Sequence, residues 1–135
     1  MNDVDLINII KRSGLISDEQ IQHARQEQQE SGDALEDILL RHHLVEEDRL
    51  LDALSQAIGV PWMEIPPKIQ PSVINLVPAE FALRHCILPL HQQNGSLTVA
   101  AVDPTDLQVF DDLRMLTGCE IEVVMARRKE LLENI

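Results

Sequence analysis

The chain has 135 residues, with 23 acidic against 11 basic side chains and a formal net charge of −12. That length suits one ordinary domain able to bury a core of its own, and the charge opposes binding to nucleic acid or an anionic bilayer, both of which need lysine and arginine. The aromatics are only Trp62, Phe81 and Phe110, so stacking platforms for single strands are missing as well.

The start, Met-Asn-Asp-Val-Asp, lacks the basic opening of a signal peptide, and no apolar run approaches a membrane span. Cys86 and Cys119 have no CxxC spacing and read as buried small hydrophobes of a reducing compartment. These features predict a soluble, cytoplasmic protein. Its acidity fits plain solubility or a basic protein partner.

Four short helices are predicted over residues 2–58. The first runs from about Asp3 to Ser13 and ends at Gly14. The second opens at Ser17 with Gln20 three residues on, a capping box, and ends near Gly32. The third is expected to open at Asp33 with Glu36 in the box position. The fourth runs from about Glu46 to Ile58, stopped by Gly59 and Pro61. These helices are two copies of one unit in a constant register: Leu6 matches Leu35, Gly14 matches His43, Ile21 matches Leu50 and Ala24 matches Ala53. Each copy is a helical hairpin with one apolar stripe, and two such hairpins can bury their stripes against each other. The second copy is less ideal, with Glu46 in place of a proper N-cap and His43 in place of the C-cap glycine.

A proline-rich connector follows from Val60 to Pro71, with Trp62–Ile65 as a brief extended piece able to add an edge strand and Trp62 as an anchor between the helical half and the rest. Two short helices are expected near Pro71–Leu76 and Pro78–His85, each with proline in a tolerated first-turn position. Asn94-Gly95 between the apolar runs 87–93 and 96–102 is a strong hairpin signal that needs positive φ at both residues. A two-residue loop would pair Leu90 with Val99 and Leu88 with Ala101. Pro89 lacks an N–H, so its strand belongs at an edge.

The stretch Leu97–Ala126 reads strand, helix, strand. Pro104 suits a first helical position and Asp103 a cap. Leu107, Phe110, Leu113 and Leu116 recur at helical spacing, and Thr117-Gly118 ends the helix. Ile121, Val123 and Met125 then alternate with Glu120 and Glu122, a half-buried strand. A further helix begins near residue 128, and the chain ends inside it, as a piece of a longer protein or a frayed natural terminus would. The predicted fold class is therefore α+β: duplicated helical hairpins over 1–59, then a small mixed sheet packed with helices, a hairpin plus a βαβ unit, over 60–135, with a linker helix starting at about 128.

Asp103, Pro104, Asp106, Leu107, Asp112, Leu113, Arg114, Thr117 and Gly118 together resemble the signature of the N-terminal domains of type II secretion and type IV pilus assembly ATPases. The resemblance covers nearly the whole chain. It implies a docking domain that attaches a cytoplasmic motor to an inner-membrane platform protein, with the full-length protein homo-oligomeric through its motor domain and peripheral to the inner membrane through its partner. No GxxxxGK[ST] phosphate loop is present, and the glycines at 14, 32, 59, 95 and 118 are too far apart to build one. The motor would thus lie downstream, and this chain is not expected to be an enzyme.

No catalytic or metal residues are expected. His42-His43 sit at a helix end, where adjacent side chains diverge, and His85-Cys86 lacks any sign of an oxyanion site. Asp103, Asp106, Asp111 and Asp112 are explained by capping and a solvated face. The family resemblance also implies an alternative function, cyclic di-GMP sensing through a duplicated Arg-Leu-Gly-x-x-Leu motif followed by spaced leucines and a glutamine. Leu6, Ile9, Leu15, Ile21 and Gln28 fit the first copy. Leu35, Ile38, Leu44, Leu50 and a shifted Gln56 fit the second loosely. Asp5 stands where the motif has arginine, and Ile7 and Glu36 stand where it has glycine. An aspartate repels phosphate, and a side chain fills the space a glycine leaves open. The scaffold is kept and the ligand site is expected to be lost, so no cofactor is anticipated.

Overall fold

Residues up to Gly59 form one unit of four helices: α1 (Asp3–Ser13), α2 (Asp18–Ser31), α3 (Leu35–Arg41) and α4 (Glu47–Ile58). The computed structural model describes residues 3–135. Ser17 caps α2 as its sequence requires. Its hydroxyl accepts from the Gln20 N–H at 3.2 Å, and Gln20 Oε1 accepts from the Ser17 N–H at 3.1 Å. The duplication is visible in the backbone, because Gly14 and its counterpart His43 both take positive φ, +67° and +54°. A histidine there carries a strain that glycine avoids. Leu6, Ile10, Ile21, Ala24, Leu35, Ile38, Leu50 and Leu54 are buried, so the stripes of both copies do face inward.

The third helix departs from expectation. Its N-cap is Ala34, with no side-chain cap bond, one residue later than predicted. Asp33 is engaged elsewhere: its carboxylate accepts from Arg41 Nη1 at 3.0 Å. Glu46 precedes α4 without capping it, as its residue type suggests.

The second unit runs from Val60 to Ile135. It holds α5 (Pro71–Ile74), α6 (Ala79–His85), β1 (Ile87–Gln93), β2 (Ser96–Ala101), α7 (Leu107–Thr117), β3 (Glu120–Val124) and α8 (Arg128–Asn134). The sheet order is β1-β2-β3, with β1 antiparallel and β3 parallel to β2. This is the hairpin plus βαβ unit read from the sequence, and Pro89 does lie on an edge strand. Trp62–Ile65 contributes one parallel bridge, Trp62 to Met125, rather than a strand.

The hairpin register needs correction. Leu88 pairs with Ala100 and Pro89 with Val99, and the ladder slips between Pro89 and His91, leaving Leu90 as a bulge. Leu88 and Leu90, two residues apart, share one face, where they pack with Ile65, Ala100, Val124, Ala126 and Leu131. The opposite face packs Leu97, Val99 and Ala101 against Val109, Phe110 and Leu113.

Two expectations about α7 also change. The helix starts at Leu107, after Asp106, and Asp103 closes a turn instead of capping it: its Oδ1 accepts from the Thr105 N–H (3.0 Å) and hydroxyl (2.6 Å). The buried stripe is Val109, Phe110 and Leu113, while Leu107 and Leu116 are 73% and 53% exposed. Cys119 is buried as predicted, but Cys86 is only half-buried and ends α6 with φ +52°.

Candidate functional site

Two surface features stand out, one on each unit. In the helical unit, the C-terminal half of α1 and the length of α4 leave a groove of about 500 Å³ between them. Ile9, Arg12 and Leu15 line one side, and Arg49, Ala53 and Gln56 the other. The other pair of packed helices is α2 and α3. There Glu27 receives both His42, whose Nε2 lies 2.8 and 2.9 Å from its carboxylate oxygens, and Arg41 Nη2 at 3.4 Å. The hydrogen bond to Asp33 is the main reason that the Arg41 pKa lies above its ordinary value.

In the second unit, α7 exposes Leu107, Met115 and Leu116 at 73%, 86% and 53%. Carboxylates accompany them: Asp111 is bonded to Arg114 Nη1 at 2.7 Å, Asp112 accepts from Gln108 Nε2 at 2.9 Å, and Asp106 is exposed at the helix start. Among the described residues, no cluster of three or more His, Cys, Asp or Glu is placed to hold a metal ion.

Of the residues that the family motif pointed to, Leu6, Ile21, Leu35, Ile38 and Leu50 lie in the core, each at most 6% exposed. Leu44 is half-buried. Ile9, Leu15 and Gln56 come together in the α1–α4 groove. Gln28 lies apart from them, its Nε2 donating to Asp3 Oδ2 at 2.9 Å. Asp5 is exposed, and Ile7 and Glu36 are half-buried. Arg12 and Arg49 were not singled out from sequence. The signal that finds Arg12 is the repeat itself, read for charge as well as for apolar residues, since Arg12 matches Arg41.

Duplicated helical hairpins followed by a hairpin and a βαβ unit define an α+β domain of the kind that the Asp103–Gly118 signature suggested. The chain belongs to the MshEN domain family, whose model matches residues 58–135. It is 37% identical over 128 residues to the type IV pilus assembly ATPase PilB of Myxococcus xanthus, covering 94% of this chain and 23% of that protein. It is 28% identical over 122 residues to the type II secretion system protein E of Xanthomonas campestris, covering 86% of this chain and 21% of that protein. A solved structure of MshE with cdg superposes with a TM-score of 0.75 at 25% identity, covering 96% of this chain and 94% of that one. The chain thus spans less than a quarter of the length of these two curated relatives. Among the described residues, no helix is long and apolar enough to cross a membrane.

Proposed function

We propose that this chain is a non-catalytic docking domain that attaches a secretion or pilus assembly ATPase to the cytoplasmic domain of its inner-membrane platform protein. The observation that carries the reading is the outer surface of α7. An 11-residue helix that leaves two leucines and a methionine in water forgoes the roughly 1.5–3 kcal/mol that each would gain on full burial. A partner surface recovers that energy. The neighbouring carboxylates suit a partner with basic residues around an apolar centre. The relatives that carry the same domain include ATPases of pilus assembly, and docking places such a motor at the membrane. The expected result is that a Met115→Glu, Leu116→Glu double variant keeps its urea midpoint and loses at least a hundredfold in affinity for the purified platform-protein cytoplasmic domain. Full affinity in the folded variant would remove α7 from the interface.

A second reading, cyclic di-GMP sensing, is favoured by the likeness to MshE with cdg. Against it stand Asp5 by charge and Ile7 and Glu36 by bulk. The wild-type chain is expected to bind the dinucleotide weakly or not at all. An Asp5→Arg, Ile7→Gly, Glu36→Gly variant should bind at least tenfold more tightly, since a charge-assisted hydrogen bond contributes about 1.5–3 kcal/mol. It should also be less stable, because each helical glycine costs about 1 kcal/mol. Isothermal titration of both proteins decides it: micromolar binding by wild type would overturn the lost-site argument.

A further inference from the structure

A cavity of about 400 Å³ lies in the Val60–Ile135 unit, where the connector passes the bulged strand β1 and α5 packs on the same strand. Pro66 and Pro67 restrict the torsions of the connector, so that wall is pre-formed. The bulge shapes the facing wall. His91 pairs with Thr98, Leu90 is the extra residue beside it, and all three line the cavity. The floor is apolar: Leu90 and Val73 are buried there, and Met63 and Pro66 add to it. The polar lining holds no carboxylate, on a chain with 23 acidic residues. Lys68 is its one ammonium, and among the described residues no carboxylate lies within ion-pair distance of it. Glu64, the acid of the connector, is taken instead by Arg127 Nη2 at 3.3 Å. Gln92 and His91 are also engaged: Gln92 Nε2 donates to Cys119 Sγ at 3.5 Å, and His91 Nε2 lies 3.2 Å from Gln93 Oε1. The Gln70 amide and the Thr98 hydroxyl have no such partner among the described residues and are able to donate.

We propose that this cavity beside the β1 bulge is a binding site for a small monocarboxylic acid with an apolar body. The carboxylate takes the ammonium of Lys68 and hydrogen bonds from Gln70 and Thr98, and the apolar body lies on Leu90, Val73 and Met63. The chemistry selects a carboxylate over a phosphate. No guanidinium lines the cavity, and a single ammonium balances one negative charge, not the near-double charge of a phosphate monoester. An exposed ion pair alone contributes little, so charge and apolar floor must act together. The volume falls within the usual range for small-molecule sites. The cavity shares no lining residue with the α1–α4 groove or with α7.

The test is an NMR titration of the isotope-labelled whole chain with three probes: hydrocinnamate, hydrocinnamyl alcohol and acetate. Hydrocinnamate is expected to bind at least tenfold more tightly than acetate, which lacks the apolar body, and at least threefold more tightly than the alcohol, which lacks the charge. Its shift changes should centre on the backbone amides of His91, Gln92 and Thr98. Lys68 is exposed, so Lys68→Glu should fold. That variant should lose at least tenfold in hydrocinnamate affinity while holding the alcohol as wild type does, a split that a merely structural role for Lys68 would not produce. If Lys68→Glu does not fold, Lys68→Gln should show the same split with a loss of at least threefold. No binding by wild type, equal affinity for acid and alcohol, shift changes centred on α1 and α4, or undiminished acid binding by the folded Lys68 variant would each overturn the proposal.

Discussion

Leu113→Ala is expected to lower the stability of the Val60–Ile135 unit by about 2–5 kcal/mol, the range for removing a buried leucine that leaves a cavity. Leu113 is wholly buried between α7 and the inner face of the sheet, in the cluster with Phe110, Leu97 and Val99. Three residues on, Leu116 is 53% exposed, and Leu116→Ala should change stability by no more than about 0.5 kcal/mol. Both leucines sit at helical spacing on one predicted stripe, so the pair separates the stripe read from sequence from the one that is buried. Trp62 is the only tryptophan and belongs to this unit. Its fluorescence through a urea titration therefore reports the right transition. Equal losses from the two variants would mean that α7 is rotated from the orientation described.

Gly95→Val should cost roughly 1–3 kcal/mol in the same measurement, and the cause is the backbone alone. Asn94 and Gly95 take φ of +53° and +80°, the pair that a two-residue hairpin with the right twist demands. A Cβ at Gly95 would meet nothing within 4 Å, so no clash contributes. The turn also anchors the parallel pairing, since the Gly95 carbonyl accepts from the Glu120 N–H at 2.9 Å. Straining it disturbs both neighbours of β2 together. Gly95→Asn, which tolerates positive φ better, should recover much of the loss. An unchanged midpoint for the valine variant would reject the turn type.

The elements set by local chemistry were legible in advance. Ser17 with Gln20, Asn94 with Gly95, and Gly118 after an apolar helix each act through bonds or torsions within a few residues. What escaped depends on partners distant in sequence. Asp33 resembles a cap, but Arg41, eight residues on, takes its carboxylate. Pro89 announces a missing ladder bond without saying where the slack is absorbed, and Leu90 absorbs it. On α7, six apolar residues from Leu107 to Leu116 satisfy more than one helical stripe, and only packing against the sheet selects Val109, Phe110 and Leu113. The groove was half legible. Ile9, Leu15 and Gln56 came through a family motif, whereas Arg12 emerges only when the two repeats are compared for charge, and Arg49, whose counterpart is Gln20, only from the packing of α4 on α1.

A three-stranded sheet has two free borders, and each invites another chain to add a strand. Here both are obstructed. Along β1, Pro89 has no N–H to offer and the Leu90 bulge breaks the straight row of backbone groups. Along β3, the segment Pro61–Met63 already occupies the Met125 end, with 2.9 Å bonds from the Met63 N–H to the Met125 carbonyl and from the Met125 N–H to the Pro61 carbonyl. Glu120 and Glu122 put like charges on any copy that approaches the remainder. Copies of this chain at high concentration then stay apart without their sheets fusing into fibrils, and a lapse in either safeguard would appear first as aggregation rather than as lost fold.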